Sequence, residues 1–249
     1  MVLTAAQNGH IDDLRLLVAT KANVDEKDFF GGTALGVAVM SAQADVVDFL
    51  VKAKVNVVKF RCDDLEDNEA NDILRILIAA KMDATKCHPS VLCNAAHHGD
   101  MEAVKLLLAA KADPTGIDIF QRRTPVEAAS RQNHIDILRV LLDAKADTDK
   151  YAWCGGVVAA IDRENIGALQ LLVDARADID SPVGEIVTPT SPLLSAIVKK
   201  STGALRVLIN AKVDVNGAED VSNPLCVAAA DGHVEALTML LNAKADICV

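Results

Sequence analysis

The sequence predicts an all-α fold, a stack of helix-turn-helix units, on three observations. A short motif recurs eight times, and the apolar residues around it follow helical spacing. The interior must also be aliphatic, because 51% of the residues are hydrophobic and only 3% are aromatic. Repetition with a period of 20 to 50 residues is typical of a solenoid, in which each unit buries its apolar face against its neighbours. We therefore expect one array spanning residues 1–249.

The recurring motif ends each predicted unit. An apolar pair is followed at fixed spacing by a small residue, a cation, an apolar residue and then Asp or Asn. The eight cations, here named the cation ladder, are Lys21, Lys54, Lys81, Lys111, Lys145, Arg176, Lys212 and Lys244. The Asp or Asn residues are Asn23, Asn56, Asp83, Asp113, Asp147, Asp178, Asp214 and Asp246. This period predicts eight units at approximately 1–25, 26–57, 58–84, 85–114, 115–148, 149–180, 181–216 and 217–249.

Each unit is predicted to contain two short helices, as the fifth unit illustrates. Thr124 fits the N-cap of a first helix, and Pro125 fits its first turn, where a missing N–H group costs nothing. Polar residues at 131–133 interrupt this helix. Apolar residues then recur at i, i+1, i+4 and i+5 from Ile137, which predicts one buried face of a second helix. Helices this short are marginal alone, so stacking between units must stabilise them.

These motifs resemble the ankyrin repeat family, whose unit starts with Thr-Pro-Leu-His-x-Ala, has Gly-His near the inter-helix loop and closes with Leu-Leu-x-x-Gly-Ala-Asp. The start survives in part at residues 33–38, 124–126, 191–193 and 223–225, and Gly-His stands at 9–10 and 232–233. The resemblance covers essentially the whole chain. It implies an all-α ankyrin-repeat solenoid with projecting finger loops.

Two departures from the family pattern affect the interpretation. The family's His is replaced throughout, by Gly36, Cys93, Glu127, Val158, Leu194 and Cys226, so its hydrogen bonds are not carried over. The cation ladder occupies the position of the family's Gly, where a left-handed backbone costs a residue with a Cβ about 1 to 2 kcal/mol. Either the turn avoids that conformation or each unit is strained.

The cation ladder itself has two interpretations. It is either a track for anions or a set of helix-capping charges, each partly neutralised by the acid two residues later. The sequence favours the second, since a cation near a helix C-terminus contributes only about 0.3 to 1 kcal/mol and needs no ligand.

Candidate partner-binding residues lie in the connections between units. Aromatic residues and Arg are enriched in binding hot spots. The longest connection also contains the apolar residue Ile186, a candidate anchor for a partner. The candidates are Phe29, Phe30, Phe120, Arg122, Arg123, Tyr151, Trp153 and Ile186. Alternatively, these residues pack on one another along the stack. An acidic run with Asp63, Asp64, Glu66 and Asp67 is either a contact for a basic partner segment or a solvated face.

No catalytic, metal or cofactor motif stands out. Cys87, His88, Cys93, His97 and His98 form one metal-capable cluster, but no second pair follows at zinc-site spacing. The pairs Gly31-Gly32 and Gly155-Gly156 are predicted to be turns, and the carboxylates follow the surface pattern without converging. We therefore expect no enzyme activity, no cofactor and no metal.

Charge and cysteine usage limit the partners and the compartment. A net charge of −10 disfavours nucleic acid and anionic lipid surfaces, and no apolar run approaches the roughly 20 residues of a transmembrane helix. Six scattered cysteines without Cys-x-x-Cys predict free thiols in a reducing intracellular compartment. The cytoplasm is the first expectation, and an organelle is the alternative if a leader is missing.

The functional hypothesis is a non-catalytic protein–protein interaction module that binds a protein partner through its finger loops and concave face, as a monomer or as a subunit of a hetero-complex. One alternative is an accessory subunit held on a large, possibly organellar, multiprotein assembly. Another is the targeting arm of a longer enzyme chain.

Overall fold

The fold is all-α, as the sequence predicts. The computed structural model describes residues 1–29, 31–55, 57, 71–80, 82, 85, 89–118, 122–146, 150–181, 191–216 and 223–247. These residues form fifteen α-helices and no β-strand; one antiparallel β-bridge joins Asp118 and Arg123.

The chain divides into two compact units, Met1–Asp113 and Pro114–Val249. Unit 1 contains α1 (Val2–Gln7), α2 (Ile11–Ala19), α3 (Ala34–Met40), α4 (Ala44–Lys52), α5 (Asn71–Ala79), α6 (Pro89–His98) and α7 (Met101–Ala109). Unit 2 contains α8 (Pro125–Arg131), α9 (Ile135–Asp143), α10 (Lys150–Asp162), α11 (Ile166–Asp174), α12 (Pro192–Val198), α13 (Thr202–Asn210), α14 (Pro224–Ala230) and α15 (Val234–Asn242).

Helices of the same kind stack on one another within each unit. In unit 2 the first helices of the repeats pack in the order α8, α10, α12, α14, and the second helices in the order α9, α11, α13, α15. In unit 1, α1 packs on α3, α2 on α4, α4 on α5 and α5 on α7. Each helix pair is therefore covered by its neighbours, as expected for repeat stacking.

A recurring leucine anchors the second helices. It stands four residues before the ladder cation and is fully buried in seven repeats. These leucines are Leu50, Leu77, Leu107, Leu141, Leu172, Leu208 and Leu240. Burial of one such side chain is worth about 1.5 to 3 kcal/mol. Helices of six to thirteen residues need this contribution, because they are marginal or unstable in isolation.

Side-chain caps start several first helices where the sequence places them. Thr33, Thr124, Ser191 and Asn223 each accept a hydrogen bond from a backbone N–H group in the first turn. Proline follows three of these caps at the first helical position. The predicted start of the first helix is confirmed at these four repeats.

The second helices end in a left-handed residue, and that residue is the ladder cation. Backbone φ is positive at Lys21, Lys54, Lys111, Lys145, Arg176, Lys212 and Lys244, with values between 57° and 66°. The N–H group of the next residue bonds to the carbonyl five residues back, as from Ala146 to Leu141 at 2.9 Å. This is the Schellman helix ending, which normally uses glycine. The expectation that the ladder residue is strained is therefore correct at these seven positions, and the expectation that the turn avoids the left-handed conformation is wrong there. Lys81 lies outside the described residues.

The first helices end in the same way, with mixed residue types. The left-handed position is glycine at Gly9, Gly99 and Gly232, but it is occupied by a residue with a Cβ in four other repeats. Those four are Ala42, Asn133, Glu164 and Lys200. The repeats thus require the backbone conformation at both helix ends but require glycine at neither.

Polar side chains tie neighbouring repeats together. In unit 2, Asn165 donates from Nδ2 to the carbonyl oxygens of Ser130, at 2.8 Å, and Arg131, at 3.0 Å. The Oδ1 atom of Asp180 accepts from the N–H group of Asp214 at 2.7 Å, and Asn216 repeats this contact with Asp246 at 2.8 Å. Because the last two bonds join the segments that follow α11, α13 and α15, the C-terminal ends of these helices lie side by side.

An ion pair ties two repeats of unit 1. Arg75 on α5 contacts Glu102 on α7 and also lies 3.7 Å from Asp72. The hydrogen bond to Glu102, together with the charge of that carboxylate, raises the pKa of Arg75 above its ordinary value. The guanidinium is therefore charged whenever the protein is folded.

Replacing a ladder cation by glycine is expected to stabilise the fold. In Lys145→Gly, relief of the left-handed strain contributes about 1 to 2 kcal/mol and loss of the charge at the helix end removes about 0.3 to 1. The free energy of unfolding, measured by urea denaturation, should rise by about 0.5 to 1 kcal/mol.

Ala144→Gly is the matched control, because Ala144 has an ordinary φ of −76° one residue earlier. It should lower the free energy of unfolding by about 0.5 to 1 kcal/mol, since glycine there only adds flexibility. Equal losses in both variants would show that the ladder position is not strained.

Candidate protein-binding surface

The connection between α2 and α3 presents an aromatic side chain on a structured turn. Asp28 organises this turn: its Oδ1 accepts from the N–H group of Gly32 at 2.7 Å, and its own N–H group donates to the Gly32 carbonyl at 2.9 Å. Gly31 adopts a φ of +85°, which suits glycine. Phe29 follows Asp28 and is 97% exposed. The turn therefore holds a large apolar ring in solvent.

In unit 2, the connection before α8 forms a small hairpin. The N–H group of Asp118 donates to the carbonyl of Arg123 at 2.9 Å, and both residues are buried. Arg122 is exposed with a φ of +50°, and Ile117 is 52% exposed. Arg122 and Ile117 are thus exposed beside the bridge, whereas Arg123 is buried in it.

Helix α10 begins six residues earlier than its equivalents. The left-handed residues Asn133 and Glu164 follow α8 and α10 at the same distance, which aligns Gly156 with Pro125, the first residue of α8. The residues from Lys150 to Gly155 therefore form an extension, here named the α10 extension, of about 9 Å at 1.5 Å per residue. It carries Tyr151 and Trp153 on helix, in place of the connection that the sequence predicts.

Two glycines allow α10 to approach α8 closely. A Cβ on Gly156 would lie 3.0 Å from Cγ1 of Val126, and one on Gly155 would lie 3.1 Å from Oε2 of Glu127. Glu127 is half-buried and its Oε1 lies 3.0 Å from NH2 of Arg131. The expectation that Gly155-Gly156 forms a turn is wrong, because both glycines are helical and serve packing.

The α10 extension and the hairpin lie at the same edge of unit 2. Gly156 faces Val126 near the start of α8, and Asn165, just after α10, bonds the carbonyls at the end of α8, so the two helices run parallel. The extension consequently continues past the start of α8, the end at which the Asp118–Arg123 bridge lies. The bridge and the α10 extension, which are separate in sequence, thus both lie at the start of α8.

Several predicted residues lie outside the described part of the chain. These are Phe30, Phe120, Ile186, Asp63, Asp64, Glu66 and Asp67. Ile117 was missed by sequence reasoning, because single aliphatic residues are common in connections. The helical state of the α10 extension was missed as well, although no proline, Asp or Asn stands between Lys150 and Gly155.

Metal-capable residues do not converge in the described ranges, where no group of three His, Cys, Asp or Glu side chains has suitable geometry. His97 and His98 stack edge to face at 5.2 Å, and His98 Nδ1 lies 2.9 Å from the carbonyl oxygen of Asn94. No described helix is long and apolar enough to cross a bilayer.

The cysteines correct one expectation. Cys93 is a buried free thiol, but Cys226 is disulfide-bonded. The prediction of six free thiols is therefore wrong at Cys226, and the inference of a reducing compartment loses this support.

The stacked helix pairs and their left-handed endings define a helical repeat protein. The family model described as ankyrin repeats (3 copies) matches residues 65–152 and 157–249, and the model described as ankyrin repeats (many copies) matches residues 2–51. The chain belongs to the ankyrin repeat family. Ankyrin repeats are generally protein–protein interaction modules and typically non-catalytic.

A solved structure shows the same fold. The human ASB11 ankyrin repeat domain superimposes with a TM-score of 0.52 at 16% sequence identity, covering 99% of each chain. No curated protein sequence matches the chain significantly.

Adding a methyl group at Gly156 should separate α8 from α10. In Gly156→Ala the new Cβ meets buried Val126, and overpacking of about 1 to 3 kcal/mol exceeds the helix-propensity gain of about 0.5 to 1. The free energy of unfolding in urea should fall by about 0.5 to 2 kcal/mol.

Gly36→Ala in α3 is the control, because a Cβ there meets only Oγ1 of Thr33 at an ordinary 3.5 Å. It should stabilise the protein by about 0.5 to 1 kcal/mol. Stabilisation of similar size by Gly156→Ala would show that the contact between α8 and α10 tolerates a side chain at this position.

Proposed function

We propose that this protein is a non-catalytic interaction module that binds a protein partner through the connections preceding its first helices and through the adjoining first helices. The binding elements are the turn at Asp28–Gly32 in unit 1, and the 118–123 hairpin with the α10 extension in unit 2. The observation that carries the proposal is the 97% exposure of Phe29 on a hydrogen-bonded turn.

Exposure on an ordered turn favours binding for an energetic reason. Apolar rings normally lose exposed surface when a chain folds, since burial is worth about 25 cal/mol per Å². When a partner buries a ring that was exposed, that energy favours binding instead. An ordered turn also lowers the entropy lost on binding. Phe29 thus has the properties of a hot-spot residue.

The edge of unit 2 supports the same proposal. It combines exposed Ile117 and Arg122 with the two aromatic residues of the α10 extension on adjacent segments. Tyr, Trp and Arg are the residues most enriched in hot spots, and clusters of them mark interface centres. The acidic run at 63–67 remains a proposed contact for a basic partner segment.

The experiment is affinity capture of partners from the natural source with the purified protein, followed by titration of the captured partner. Phe29→Ala and Trp153→Ala should each weaken binding at least about fivefold, the effect of roughly 1 kcal/mol expected for a hot spot. The melting temperature of Phe29→Ala should not change, because Phe29 is 97% exposed in the folded protein.

Leu16→Ala is the control. Leu16 is 67% exposed on α2, a second helix, and it therefore lies outside the proposed surface. Its removal should leave the affinity unchanged. A captured partner that binds Phe29→Ala and Trp153→Ala as tightly as the natural chain contradicts the proposed surface, and a loss equal to that of Leu16→Ala indicates a nonspecific apolar effect.

A further inference from the structure

We infer that the cation ladder of unit 2 is a second binding surface, one that takes an extended acidic protein segment with carboxylates at every third residue. Four ladder residues form it, Lys145, Arg176, Lys212 and Lys244. This surface goes beyond the proposed function, because it lies on the ends of the second helices and shares no residue with the binding elements described above.

The four cations stand in a row. Each follows the C-cap of a second helix, and α9, α11, α13 and α15 pack on one another in that order. The bonds from Asp214 to Asp180 and from Asp246 to Asn216 hold neighbouring helix ends side by side. Packed helices are about 8 to 10 Å apart, so the row spans about 25 to 30 Å.

All four side chains are exposed, and none of them forms an ion pair or a side-chain hydrogen bond within the ranges that the structure describes. The sequence suggested neutralisation by the acid two residues later. In the structure, Asp178 accepts from the N–H groups of residues 180 and 181, and Asp214 accepts from that of Asn216. These carboxylates therefore hold the connections, while the cations stay available.

The left-handed backbone conformation at each ladder cation costs free energy of folding. Each cation occupies a left-handed position at which glycine would be free of strain. Other left-handed positions in the chain hold a mixture of Gly, Ala, Asn, Glu, Lys and Arg, whereas the ladder position is Lys or Arg in every repeat. A strained residue retained without an intramolecular partner is a reason to look for a ligand.

The spacing between the cations indicates which backbone conformation the partner segment adopts. A polyproline II segment rises about 3.1 Å per residue and has three residues per turn, so every third side chain returns to one face after about 9 Å. This matches the separation of the cations. A β-strand fits less well, because its side chains alternate faces and a three-residue step changes the face.

The net charge of −10 disfavours general attraction of acidic molecules. Binding must therefore depend on the local match, and it must weaken with salt, since exposed charge pairs are screened over about 8 Å at physiological ionic strength.

The test is titration of the full chain with two synthetic 12-residue peptides at low and physiological salt. The first contains four repeats of Glu-Pro-Pro, and the second has four consecutive Glu residues followed by eight Pro. The peptides have the same composition and charge. The spaced peptide should bind more tightly, and its affinity should fall as salt is added.

The decisive variant replaces Lys145, Arg176, Lys212 and Lys244 together by Gly. This variant should be more stable than the natural chain, so lost binding cannot come from unfolding. Its affinity for the spaced peptide should fall about tenfold or more, since four exposed pairs each contribute a modest amount. A control variant removes four other exposed cations of unit 2, with Arg139, Arg163 and Arg206 changed to Gln and Lys200 changed to Gly; it should bind normally.

Four outcomes overturn the inference. The first is that the spaced peptide does not bind at low salt, and the second is that the two peptides bind equally. The third is that the two variants lose the same affinity. The fourth is that a 12-nucleotide single-stranded oligonucleotide binds more tightly than the spaced peptide. None of them affects the proposed function, whose test uses Phe29 and Trp153.

Discussion

Burial of each helix pair against the next is the constraint on which this structure depends. Most of its helices have seven or nine residues, too few to persist alone in water. Leucines such as Leu141 and Leu172 lie fully buried between neighbours and supply the missing stability. Because the stacked faces must repeat, the connections that leave each helix pair emerge at equivalent places. The stacking therefore positions the proposed binding elements as well as stabilising the fold.

The same stacking explains how the chain tolerates strain at the helix ends. A left-handed Lys or Arg is unfavourable in isolation, but the carbonyl of the buried leucine four residues earlier accepts the N–H group of the residue after the cation. That residue is itself buried, as Ala146 and Val213 show. Packing on both sides of the cation therefore imposes the conformation, and the exposed side chain stays free to differ from glycine.

The starts of the four capped first helices were predictable because they depend on local chemistry. A cap such as Thr124 followed by Pro125 specifies a helix start from adjacent residues. The state of residues 150–155 was not predictable in this way. Helical and extended conformations are both compatible with a short apolar stretch, and contact with α8 through Gly155 and Gly156 accompanies the helical one. The burial of Arg123 likewise depends on the hairpin around it.

The sequence by itself determined the class of the protein, because a fixed period, apolar spacing and capping residues are local properties that repeat. Only the tertiary structure decided which candidate residues share a surface. It placed the α10 extension at the end of α8 where the Asp118–Arg123 bridge lies, and it aligned four cations that form no ion pair in the part of the chain that the structure describes. Each of these depends on contacts between segments some thirty residues apart, and such distances are set by packing between repeats.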